Sequence, residues 1–289
     1  MSLVGEERAR LMNTKDTDTT VIRIDMQTAP SSHYINSTRF RLGVRWAIWV
    51  LGCVLVTQFS PLATANSSLG WPGETLSGNS CFGASSTFGP WDYTDPAVRR
   101  VDQRYGSWSR LRMVEGAHFT PNVEQLISGK RSGADPLGDI DYTLRAFPNH
   151  HRALWAISRY YLRRLDREGS EAMKSHEQTL KITPPECYFQ RAKRFAPRDK
   201  MVSVVYGIYL HRRGMLDAAL DESTSAEKAL PENAELSYNL GLLYLDRGRL
   251  DLAQEYAGKA RALGYPLEGL TRRIRREQKA ANDGAASAD

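Results

Sequence analysis

The sequence predicts an all-α fold: a solenoid of stacked helical hairpins with an irregular N-terminal extension. Three observations predict it. A motif occurs twice over residues 200–266, at a spacing of 34 residues. Glycine and proline stand at matching points of both copies, where helices would have to stop. A stretch rich in Gly, Ser and Pro, residues 66–96, precedes any helical pattern.

The two copies align residue by residue. Gly207 maps onto Gly241, Gly214 onto Gly248, Leu216 onto Leu250, Ala219 onto Ala253 and Ala226 onto Ala260. Gly207 and Ala219 lack bulk, so the first helix of a copy can lie close to its second. Tyr206 and Leu210, like Leu240 and Tyr244, are four apart and fill one helix face. Gly214 and Gly248 suit a left-handed cap, and Pro231 ends the second helix of the first copy. The period and the order of residue types resemble the tetratricopeptide repeat (TPR) family. The resemblance implies repeats over 200–233 and 234–266, each a helical pair that buries its apolar face only by stacking on neighbours.

The resemblance weakens toward the N-terminus. Residues 148–199 read as a stretched repeat. Its first helix starts at Pro148-Asn149 and carries Trp155 and Arg159, and its second runs over Glu186–Pro197. Pro148 to Pro197 is 49 residues, about 15 more than one period. The excess falls in 166–185, a polar insertion read as a loop that is either part of a binding face or inert. Residues 66–147 read as a loop-rich region followed by a degenerate repeat. Helices are expected from Ala97 to Arg104, from Leu111, from Pro121 with Thr120 as N-cap and Glu124 closing the box, and from Gly138 to Phe147. After Pro266, Leu267, Leu270 and Ile274 recur at helical spacing, which predicts a capping helix over 267–279 with a solvated basic side. Residues 280–289 read as a disordered tail.

Residues 1–38 are polar and aperiodic and read as disordered. Arg39, Arg41 and Arg45 then precede an apolar run from Trp46 to Phe59, with Ala63-Thr64-Ala65 beyond it. That is the layout of a secretory signal peptide over 39–65, with cleavage expected after Ala65 and Met26 as an alternative start. The run is 14 residues, short of the roughly 20 that span a bilayer. Two other readings stay open. An uncleaved anchor would make residues 46–65 the membrane contact. A lipoprotein box at Val50-Leu51-Gly52-Cys53 is disfavoured because the apolar run continues through Val56. The expected location is periplasmic or secreted, or anchored in the inner membrane with the body outside the cytoplasm.

The chain has 289 residues, 41% hydrophobic and 25% charged, with net charge +6. No block of like charge is long enough to read as a nucleic-acid arm, so no nucleic-acid partner is expected. Of the three cysteines, Cys81 and Cys187 survive cleavage. In an oxidising compartment they either pair or remain two separate buried thiols. His150-His151 and Glu115-x-x-His118 are poor metal sites, because adjacent helical residues diverge and two ligands do not make a site. No phosphate-binding loop, dinucleotide fingerprint or nucleophile elbow is present. No enzyme activity, cofactor or metal is expected.

In the TPR family the first helices line a concave groove that takes a peptide or a partner helix. Carried over by position, the groove candidates are Trp155, Arg159, Val204, Val205, Ile208, His211, Arg212, Glu235, Tyr238, Asn239, Leu242 and Asp246. A carboxylate clamp is not expected: only Asn239 matches such a position, and Met201, Val204 and Val205 are apolar where polar or basic residues are needed. Together with the signal-peptide layout, the resemblance implies a non-enzymatic exported scaffold that binds a protein or peptide in a bacterial-type cell-envelope assembly. The alternative is a small-ligand or cell-wall-binding region at 81–147, with Trp91, Asp92 and Tyr93 at its site and the repeats as support.

Overall fold

A computed structural model describes residues 70–286 apart from Thr87, all within one unit, Asn66–Asp289. The segments expected at 1–38 and 39–65, and the last three residues, lie outside the described residues. Most of the described chain is helical. Its one sheet is an antiparallel hairpin, β1 (Gly70–Glu74) and β2 (Ser80–Phe82). The helices are α1 (Arg110–His118), α2 (Pro121–Glu124), α3 (Leu137–Ala146), α4 (His151–Glu168), α5 (Ser170–Gln178) and α6 (Pro185–Phe195). They continue as α7 (Met201–Arg212), α8 (Leu216–Glu227), α9 (Ala234–Asp246), α10 (Leu250–Ala262) and α11 (Gly269–Ala286).

Residues 34 apart in α7–α10 do the same local work. Gly207 lets α7 approach α8: a Cβ there would lie 2.5 Å from Ser223 Oγ and 3.3 Å from the Ala219 carbonyl oxygen. At Gly241 a Cβ would lie 3.4 Å from Tyr256 Cβ and 3.5 Å from the Ala253 oxygen, both on α10. Gly214 and Gly248 take φ of 73° and 72°, which a side chain resists. Each is followed by the same closing bond, Met215 N–H to the Leu210 carbonyl at 3.0 Å and Arg249 N–H to the Tyr244 carbonyl at 2.9 Å. Ala219, Ala226, Ala253 and Ala260 are all buried. Each of these helices packs on the next, α7 also meets α9, and α9 meets α11.

The insertion at 166–185 is not a loop throughout. It contains α5, which packs on α4. Gly169, at φ 83°, separates the two helices. Met173 and Glu177, four apart, turn inward together, and Met173 joins Tyr161 and Ile182 in a small buried cluster. So few apolar residues carry no readable periodicity, which is why the segment reads as a polar loop in sequence.

Other boundaries shift as well. In place of a helix from Ala97 to Arg104 the chain makes two short 3-10 turns, Pro96–Arg99 and Gln103–Tyr105, capped by the Asp95 and Asp102 side chains. Thr120 is the N-cap of α2 but its side chain makes no capping bond, and Glu124 pairs with Arg152 instead of closing a box. Strands β1 and β2 were not expected from the sequence. The capping helix α11 buries Leu270 and Ile274 against Tyr238 and Leu245. It runs past the expected end at Lys279 to Ala286, so residues 280–286 are helical rather than a disordered tail.

Candidate functional site

The groove candidates divide by burial. Trp155, Val204, Val205, Ile208, Tyr238 and Asn239 are buried, so they form part of the protein's own interior and do not line an open groove. The reason is that α7 is covered by α4, α6, α8 and α9, and α9 is covered by α11. Tyr238 lies 4.4 Å from the Tyr265 ring, and Asn239 Nδ2 donates to the Glu235 carbonyl at 2.9 Å. Glu235, Leu242, His211 and Arg159 are half-buried, and Arg212 is exposed.

Two polar contacts organise what remains of that line. His211 Nε2 meets Asp246 Oδ2 at 2.6 Å, and Arg273 of α11 donates to the other Asp246 oxygen. Burial pushes the Asp246 carboxyl up, but the His211 hydrogen bond and Arg273 outweigh it and hold the pKa below the usual value. Arg159 donates to the Glu124 carbonyl, and its guanidinium lies 5.9 Å from the Trp155 ring centre. Burial lowers its pKa, helped by Arg163.

The aromatic stretch 88–93 packs inward. Trp91 sits 4.4 Å from Phe88 and 5.4 Å from Phe147. Tyr93 contacts the rings of His150 and His151 at 4.3 and 5.2 Å. Asp92 joins a buried polar network: Asn149 Nδ2 donates to Asp92 Oδ1 at 2.7 Å and to Asp199 Oδ2 at 2.8 Å, and Asn149 Oδ1 accepts from Tyr93 N–H at 2.9 Å.

The adjacent histidines diverge into separate contacts, His151 with Asp199 at 2.7 Å and His150 with Glu115 at 3.0 Å. His150 Nδ1 accepts from Ala153 N–H, so Nε2 carries the proton donated to Glu115. Burial holds the His150 pKa down against the pull of Glu115. His118 pairs with Asp139 at 2.7 Å, away from Glu115. No metal-binding group of three or more His, Cys, Asp or Glu occurs among the described residues.

A second constellation clamps the hairpin to the helices, and the sequence offered only its covalent part, as one of two outcomes for Cys81 and Cys187. Cys81 of β2 is bonded to Cys187 of α6, with Cα atoms 5.3 Å apart and 106 residues between them in sequence. Beside the bond, Glu186 Oε1 accepts from Leu76 N–H at 2.8 Å and Oε2 from the Tyr209 hydroxyl at 3.1 Å. Burial raises the Glu186 pKa, more than these hydrogen bonds and Arg213 lower it. Glu177, from α5, accepts from the Thr75 hydroxyl and from Asn79 Nδ2. No sequence signal marks Glu177, which lies in the segment that reads as a polar loop, and Glu186 is simply an acid at the start of its helix.

Between hairpin and helices lies an open cleft of about 430 Å³, lined by Pro72, Gly73, Gln190, Lys193, Tyr206 and Glu222. Its lip requires Gly73, at φ 94°, because a Cβ there would fall 1.8 Å from Gln190 Oε1. Tyr206 stacks on Phe189 at 4.6 Å to form the floor. Lys193 pairs with Glu222 and lies 6.0 Å from the Tyr206 ring centre. The cleft therefore offers an aromatic face and both signs of charge. No family model matches the chain, and no curated protein matches it.

Proposed function

We propose that the chain is a non-enzymatic, TPR-like scaffold that binds a protein partner in a cell-envelope assembly outside the reducing cytosol. The observation that carries this is the cleft walled by the hairpin lip on one side and by α6, α7 and α8 on the other. It is too open to enclose a small molecule, whose sites bury most of the ligand surface. Its mixed lining suits an extended peptide, with the Tyr206 ring for apolar side chains and the Lys193–Glu222 pair for charged ones. The equivalent turns and close approaches 34 residues apart support the repeat reading. The Cys81–Cys187 bond supports an oxidising compartment. This moves the partner surface from the buried faces of α7 and α9 to the hairpin side. The alternative, a ligand site at Trp91 and Tyr93, has less support because those rings stack on the protein's own aromatics and histidines.

Affinity capture from the native envelope tests the proposal. Wild type is compared with a Lys193→Ala, Glu222→Ala pair and with a His211→Ala, Arg212→Ala pair. A partner lost by the first pair and kept by the second supports the cleft. The reverse result assigns binding to the exposed rim of α7, and a partner kept by both removes the two surfaces together.

A further inference from the structure

The segment Arg99–Arg112 carries five arginines against a single acid, Asp102. Its backbone is closed into a fixed loop. Val101 and Ser109 pair as an antiparallel bridge, Asp102 N–H donates to the Trp108 carbonyl at 3.1 Å, and Gly106 turns the chain at φ 70°. Asp102 holds Arg104 at 2.8 Å and Arg110 at 2.9 Å, and Arg99 donates to the Tyr93 carbonyl at 2.6 Å. Arg100 and Arg112 are exposed and pair with no acid among the described residues.

The loop also exposes two large apolar side chains, Val101 at 64% and Trp108 at 44%. The Arg112 guanidinium lies 4.4 Å over the Trp108 ring. A pinned loop that shows an indole and a valine beside unpaired arginines has the chemistry of a membrane-water interface. There the ring sits at headgroup depth and the cations meet lipid phosphates.

We propose that this loop seats the protein on an anionic phospholipid surface, with Trp108 and Val101 entering the headgroup layer and Arg100 and Arg112 on the phosphates. The choice of lipid over nucleic acid rests on the extracytosolic reading above. The loop contact itself is independent of the cleft and of any apolar segment before residue 66.

The test uses the full chain with vesicles of phosphatidylcholine, with or without phosphatidylglycerol, whose acyl chains carry bromine as a quencher of tryptophan emission. Wild type is compared with Trp108→Phe. The other five tryptophans, Trp46, Trp49, Trp71, Trp91 and Trp155, are common to both forms and cancel, so the difference reports Trp108 alone. Quenching of that difference signal only with phosphatidylglycerol is expected, and neutralising each arginine in Arg100→Gln, Arg112→Gln should weaken loop binding about fivefold. No difference signal, or an equal one on pure phosphatidylcholine, overturns the proposal. A Trp108 signal that responds to heparin and not to vesicles also overturns it, in favour of a soluble acidic polymer.

Discussion

The side-chain amide of Gln190 pairs with the peptide unit of Glu74: Nε2 donates to the Glu74 carbonyl at 2.6 Å, and Glu74 N–H donates to Oε1 at 3.2 Å. A helix side chain thus does for β1 what a third strand would do, while the disulfide ties β2 to the same helix. The two links differ in expected weight. Gln190→Ala should cost about 1 kcal/mol in urea unfolding, the net value of an ordinary hydrogen bond. Cys187→Ser should cost about 3–5 kcal/mol, because the bond closes a long loop in the unfolded chain. Thiol titration of the denatured, unreduced full chain should find one free cysteine, Cys53; three would show that the bond does not form.

The buried Glu186 predicts a pH effect of defined sign. Its folded pKa lies above the ordinary glutamate value of 4.5. The folded state therefore keeps a proton that the unfolded state has released, and stability falls as pH rises from that value through the raised one. Glu186→Gln keeps an acceptor for Leu76 and carries no ionisable proton. Relative to the variant, the wild-type urea midpoint should decline over this window. Equal slopes would mean that Glu186 is not the responsible group.

Close approach at Gly207 predicts a compensated pair. Gly207→Ala gains up to about 1 kcal/mol of helix propensity, but its methyl meets Ser223 Oγ and forces a shift costing about 1–3 kcal/mol. The single variant should melt lower than wild type, and Ser223→Ala in the same chain should recover most of the loss. Gly241→Ala should also melt lower, because its methyl would meet Leu270 Cδ2, which is packed in the core between α9 and α11.

Asn149, fully buried, is the hub joining Asp92, Tyr93 and Asp199. Asn149→Ala leaves the buried Tyr93 N–H without its acceptor and should destabilise by about 2–3 kcal/mol. A change under about 0.5 kcal/mol in thermal unfolding, the level of an ordinary surface substitution, would show that water replaces the amide.

Some of this was legible in the residues alone. Gly207, Gly214, Ala219 and their partners 34 residues on marked where helices stop and where they touch, because caps and close contacts are local and repeat with the chain. Leu270 and Ile274 marked the capping helix for the same reason. The pairing of Cys81 with Cys187 was one of two outcomes that cysteine count allowed, since distance in sequence says nothing of distance in space.

Only the tertiary structure decided which helix faces remain open. Val204, Ile208 and Tyr238 have the pattern of a groove when one hairpin is considered alone, and become interior once α4, α6 and α11 close over them. The same holds for Glu177, Glu186 and Gln190. Their role in gripping the hairpin exists only because the chain returns, about a hundred residues later, to the strands it left. Local periodicity dictates helices and turns; burial is set by whatever distant segment arrives, and that no short stretch of sequence can encode.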